Sequence, residues 1–191
     1  MTVVLIVLAV IYVIATNNGL IRLRNRAEEG YSDIDVQLKR RHDLIPNLVE
    51  TVKGYASHER QVLENVTAAR SSAVAASGPQ AQAQAENALT GALRQLFAVA
   101  ENYPDLKASR NFLELQNEIT DTEDKIQAAR RFYNMTVRDL NIKVDTFPSR
   151  FFAGMAGVSK RPFFELDEPA ERDVPAVSFG AGGGQAPTAP A

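Results

Sequence analysis

The chain has no cysteine among its 191 residues. Disulfides, thiolate zinc sites, iron–sulfur clusters, cysteine nucleophiles and lipidation on an N-terminal cysteine are therefore excluded. Histidine is scarce as well. Only His42 and His58 occur, so a His-rich metal centre is ruled out and a histidine base has two candidates. Positive charge is not in excess. Lys+Arg number 21 against 23 Asp+Glu, for a net charge of −2. Nucleic-acid binding thus loses its usual electrostatic drive, and no nucleic-acid partner is expected. No cofactor-binding or metal-ligating motif is legible, and none is expected. What is present is 45% hydrophobic and 23% charged residues. That is a globular composition, on the scale of one domain with an appendage.

The amino end reads as a membrane anchor. Val3, Val4, Leu5, Ile6, Val7, Leu8, Val10, Ile11, Tyr12, Val13 and Ile14 form an apolar run, and no charge occurs before Arg22. As a helix, residues 1–21 reach about 31 Å, enough to cross a bilayer core. A cleaved signal peptide is the competing reading. It needs basic residues before the apolar run and a small-x-small cleavage site after it, and neither stands out here. Arg22, Arg24 and Arg26 follow directly. By the positive-inside rule they stay in the cytoplasm, so a single-pass topology with a cytoplasmic body is predicted.

From Leu20 to Phe147 apolar residues recur at threes and fours, the helical period. Leu23, Ala27, Ile34, Leu38 and Ile45 mark a first helix. Leu48, Val52, Tyr55, Val62, Val66, Ala69 and Ala73 mark a second. Ala85, Leu89, Ala92, Leu96 and Val99 mark a third. A heptad-like seam with one stutter (Phe112, Leu115, Ile119, Thr122, Ile126, Ala129, Tyr133, Val137, Leu140, Val144 and Phe147) marks a fourth. Pro46, Ser77-Gly78-Pro79 and Asn102-Tyr103-Pro104-Asp105 fall between them as breaks. The predicted fold is all-α: a transmembrane helix, then an antiparallel up-and-down four-helix bundle over residues 22–148. One mismatch follows, because the fourth helix overhangs the third by about 28 Å. If Pro46 only kinks the chain, the first two helices merge into one rod; the four-helix reading is preferred because two hairpins bury more apolar stripe. Residues 149–166 form an aromatic and basic segment, and the Pro/Ala/Gly-rich stretch 167–191 is predicted to be a disordered tail.

Few residues suggest chemistry. The run Lys39 to Asp43 is either a patch for an anionic ligand or partner, or a solvated turn with Asp43 or Asn47 capping the next helix. Arg41 and Glu59 sit in apolar frames, and buried charges need partners. Glu114, Glu118, Glu123 or Arg130 on the long helix could supply them, as a register-fixing polar layer of Arg41, Glu59 and Arg130. His58 beside Glu59 resembles a general-base pair, but no nucleophile or orienting group accompanies it. The segment 147–164 carries five Phe with Arg150, Lys160 and Arg161. It either plugs the end of the bundle or rests in a membrane interface. Gly180 to Gln185 reads as linker, because no strand precedes it and no phosphate-loop lysine follows. The glycosylation-like triplets at Asn65 and Asn134 fall within predicted helices.

Two long strings carry a family resemblance: RRHDLIPNLVETVKGYASHERQVLENVTAAR (Arg40 to Arg70) and YPDLKASRNFLELQNEITDTEDKIQAARRFYNMTVRDLNIKVDTFP (Tyr103 to Pro148). They resemble the LemA family of bacterial membrane proteins, over about Arg24 to Glu165. The resemblance implies an N-terminal anchor followed by a helical bundle in the bacterial inner membrane. It supplies no catalytic residues. Some members are lipid-anchored on a cysteine and face outward, a route closed here. The genomic neighbourhood of the family makes a membrane peptidase or another envelope protein a candidate partner. The expected function is a non-enzymatic, membrane-anchored scaffold or adaptor; the alternative is a lipid-interacting protein acting through 147–164. Homo-oligomerisation stays open.

Overall fold

The apolar run and the first amphipathic stretch form one uninterrupted helix in a computed structural model of the chain. The structure describes residues 1–165, so the tail expected at 167–191 lies outside the described residues. The elements are α1 (Thr2–Tyr55), α2 (Arg60–Ala75), α3 (Pro79–Ala100), the single turn α4 (Pro104–Lys107), α5 (Arg110–Asp145) and α6 (Ser149–Met155). No strand occurs among the described residues, and the all-α expectation stands. The start of α1 is the one helix among them long and apolar enough to cross a membrane.

The break expected at Pro46 is not there. Proline has no N–H to donate to the carbonyl four residues back, and that orphaned acceptor is why it usually ends or kinks a helix. The carbonyl in question belongs to His42. Arg70 on α2 supplies the missing donor, its Nε donating to the His42 oxygen at 2.7 Å. The vacancy left by Pro46 is thus filled from a neighbouring helix, and α1 continues to Tyr55. The chain turns instead at Ala56–Glu59. The third helix starts where expected. Gly78 adopts φ +83°, open to glycine at little cost, and Pro79 occupies the first helical position, where its missing N–H costs nothing.

α1 and α5 pair along most of their length. Gly19 faces Lys143, Gly30 faces Phe132 and Tyr133, and Arg41 bonds Glu123, so the numbers fall along α5 as they rise along α1. The two run antiparallel. Gly30 lets them approach: a Cβ there would lie 3.1 Å from the Phe132 ring and 3.4 Å from the Tyr133 Cα. The buried face of α1 (Leu20, Ala27, Ile34, Leu38, Arg41, Ile45, Leu48 and Val52) keeps a heptad step against the predicted seam of α5. The seam stops short of its expected end, because Phe147 is 76% exposed. The length mismatch also resolves. The α2–α3 hairpin covers the distal half of the rod, and α1 itself accompanies α5 toward the anchor.

Candidate functional site

Two hydrophobic clusters divide the body. The distal one holds Ile45, Leu48, Leu89, Leu96 and Ile119. The one nearer the anchor holds Leu20, Leu38, Ala83, Ile126 and Tyr133. Between Leu38 and Ile45 on α1 lie Arg41 and His42. Between Ala83 and Leu89 on α3 lies Glu86. Between Ile119 and Ile126 on α5 lies Glu123. A polar layer therefore separates the two cores, with two residues from α1 and one each from α3 and α5.

Arg41 is 2% exposed. Its two terminal nitrogens donate to the carboxylates of Glu86 and Glu123, and Nη1 also donates to Thr90 Oγ1 at 3.3 Å. His42 Nε2 lies 2.7 Å from the other Glu86 oxygen. An ionised carboxylate only accepts, so His42 carries its proton on Nε2. Burial pushes the Glu86 carboxyl up, but the His42 hydrogen bond and the Arg41 charge outweigh it and hold the group below the usual carboxylate range. Glu86 thus stays ionised, with each oxygen engaged. Those bonds leave it poorly placed as a general base. A small cavity of about 180 Å³ opens beside Arg41, lined by Thr90, Arg94, Phe97, Ile119 and Glu123. No group of three or more His, Asp or Glu side chains that could hold a metal occurs among the described residues.

The sequence-predicted residues distribute as follows. Arg41 meets Glu123, one of the partners proposed for it, but its deepest partner is Glu86, which the sequence reading passed over. Glu86 is the sole acidic residue of α3 and occupies the buried frame Gln82, Glu86, Leu89, Leu93, Leu96 and Ala100. That frame is shifted from the predicted one, in which Ala85, Ala92 and Val99 were the inner positions. The lone carboxylate on an apolar face was the available signal. Glu59 does not join the layer. It precedes α2 and accepts the Tyr103 hydroxyl at 3.0 Å, a hydrogen bond that raises the phenol's pKa. Arg130 lies about two turns beyond Glu123 on α5, with its guanidinium over the Phe164 ring, 5.4 Å from the ring centre. His58 is exposed and makes no bond to the layer. The run Lys39 to Asp43 is helix rather than turn, and it splits by face: Lys39, Arg40 and Asp43 outward, Arg41 and His42 inward.

The segment 147–164 divides in two. Its second half docks on the body. Asn141 brackets Arg161, donating to its carbonyl and accepting its N–H at 2.9 Å each. Asn134 brackets Phe164 in the same way, at 2.9 and 2.8 Å. Tyr133 donates to the Pro162 carbonyl at 2.9 Å, and Phe164 is fully buried. The first half is different. Phe147, Phe151 and Met155 are 76%, 70% and 84% exposed. Of the topology residues, Arg22 and Arg26 are exposed, and Arg24 lies 3.9 Å from Glu28, which also pairs with Arg161 at 2.5 Å.

The family model described as "LemA family" matches residues 30–179. A relative named Protein LemA, from Metamycoplasma hominis, is 30% identical over 84% of this chain and 74% of its own length. The chain belongs to the LemA family. Other relatives are more distant. Magnetosome protein MamQ 2 of Paramagnetospirillum magneticum is 23% identical over 92% of this chain and 75% of its own. Magnetosome protein MamQ of Magnetospirillum gryphiswaldense is 22% identical over 84% and 68%. For a LemA-family chain, the polar layer lies within the matched span, and the apolar start of α1 lies before it.

Proposed function

We propose that this LemA-family protein is a non-enzymatic scaffold that holds a helical body at a fixed stand-off from the bacterial inner membrane. Residues 1–21 span the bilayer once, the body lies on the cytoplasmic side as an up-and-down four-helix unit, and its outer helix faces dock another envelope protein. The observation that carries this reading is the continuity of α1. The apolar stretch and the body's first helix have no loop between them. A merely tethered domain needs only a flexible linker; a continuous rod transmits position and orientation. The polar layer supports the same reading. Its members engage one another and tie α1, α3 and α5 in one register, as interior ion pairs do where they specify alignment. None of the relatives named above carries a reaction in its name.

The test is crosslinking in intact cells, read by mass spectrometry on the full chain. The expected result is stoichiometric crosslinks from exposed lysines of the body, such as Lys39 and Lys125, to one envelope protein. Repeated recovery of no partner, or turnover of a substrate by the purified protein, would overturn the scaffold. Protease added to intact spheroplasts should spare residues 22–191; digestion of the body would reverse the topology.

A further inference from the structure

The exposed part of the anchor is shorter than a membrane. Side chains from Met1 to Ala15 are exposed, and burial begins at Thr16 and recurs at Leu20. Thr2 to Ala15 spans about 21 Å as a helix. A hydrocarbon core is about 30 Å thick. The body therefore starts before the bilayer ends, unless a third of the membrane goes unspanned.

What stands at that level is α6. Because α5 runs antiparallel to α1 and Lys143 faces Gly19, the chain beyond Lys143 continues toward the anchor. α6 packs against both α1 and α5, and Ala153 shares one buried cluster with Leu20. Its inner face is Ser149, Phe152 and Ala153. Its outer face carries Phe151 and Met155, and Phe147 stacks edge-on against Phe151 at 5.9 Å between ring centres. A water-facing helix does not normally present such a surface. The single charge within α6, Arg150, is exposed and long enough to reach headgroups. Lys160 pairs with Asp145, the last residue of α5, at 2.5 Å.

We infer that α6 and the preceding turn form a foot sunk into the cytoplasmic leaflet beside the anchor, with Phe147, Phe151 and Met155 among lipid acyl chains near the headgroups. The occupant of this face is lipid rather than protein, because the face is continuous with the bilayer-spanning stretch and fills the thickness that stretch leaves uncovered. This rests on the anchor reading above. It narrows the lipid-contacting part to residues 147–155, since 161–164 are bound to α5.

The chain has no tryptophan, so single reporters can be placed without background. Full-length Phe151→Trp, Leu8→Trp and Tyr55→Trp variants are reconstituted into phosphatidylcholine–phosphatidylglycerol vesicles containing lipids brominated near the carbonyl end of the acyl chain. The reporter at 151 should be blue-shifted, quenched by bromolipid and shielded from aqueous acrylamide; the one at 55 should show the reverse. Bromolipid quenching at 8 combined with acrylamide quenching at 151 overturns the foot and leaves the anchor standing. Absence of lipid quenching at 8 overturns the anchor, and the foot with it. Photoactivatable lipid crosslinking to residues 147–155 of the unmodified chain provides a reading free of substitution; its failure, with anchor labelling intact, also overturns the foot.

Discussion

At the scale of single residues, Arg41 and Glu86 form a deeply buried ion pair, their side chains 2% and 3% exposed. Removing one member of a buried pair leaves an uncompensated charge, so Arg41→Met should lower stability by about 3–5 kcal/mol. Replacing both, as Arg41→Met with Glu86→Met, should regain at least half of that loss, because apolar residues of similar volume often substitute for buried ion pairs without penalty. Chemical denaturation of the three proteins in detergent checks this. The pH dependence follows from Glu86. Its folded pKa lies below the ordinary value of 4.5, so the unfolded chain binds more protons at acid pH. The stabilisation is complete above about pH 4.5 and disappears as pH falls through the lower native value. Melting temperatures of the wild type should therefore drop steeply over that range, and Glu86→Gln, already weakened, should show a flatter acid limb. Equal acid limbs in the two proteins would exclude Glu86 as the titrating group. Arg41 was legible from sequence because a charge in an apolar frame demands a partner. Glu86 was not, because its helix is so rich in alanine and glutamine that the shifted inner face left little contrast in side-chain character.

At the scale of elements, Pro46 is the instructive case. Local rules place a break there, and the structure places an intact helix. The difference comes from Arg70, 28 residues away, whose donor fills the acceptor that proline orphans. No local pattern contains that information. The consequence is a coupling between two positions. In the wild type Arg70→Ala should cost about 1.5–3 kcal/mol, the range for a hydrogen bond with a charged partner. In a Pro46→Ala background the backbone N–H of residue 46 reclaims the His42 carbonyl, so the same change should cost markedly less. A double-mutant cycle by thermal or chemical unfolding measures the coupling; a value near zero would show that the two do not share the carbonyl. The long seam of α5, by contrast, was readable residue by residue from Phe112 to Val144, because burial on one face of a long helix repeats often enough to reveal its period. It failed only at Phe147, where the helix has ended and the ring faces outward.

At the scale of the whole molecule, the all-helical class and the apolar start were plain from sequence, and the family strings within Arg40–Arg70 and Tyr103–Pro148 were long enough to place the chain. Neither periodicity nor family shows whether anchor and body are joined by a hinge. Asn17, Asn18 and Gly19 interrupt the apolar run but not the helix, and α1 passes through them unbroken. Gly19 sits against Lys143 and Leu20 is fully buried, so the passage is packed by the returning end of α5. The scaffold reading depends on that rigidity, and a distance across the junction measures it. Because the chain has no cysteine, spin labels can be attached at Tyr12→Cys and Lys39→Cys with no native cysteine to remove first, and the protein reconstituted in vesicles. A continuous helix sets the two positions about 40 Å apart, so pulsed electron resonance should return a single narrow distribution near that value. A broad distribution, or one centred well below about 30 Å, would mean that the helix bends or breaks between membrane and body, and would contradict the account.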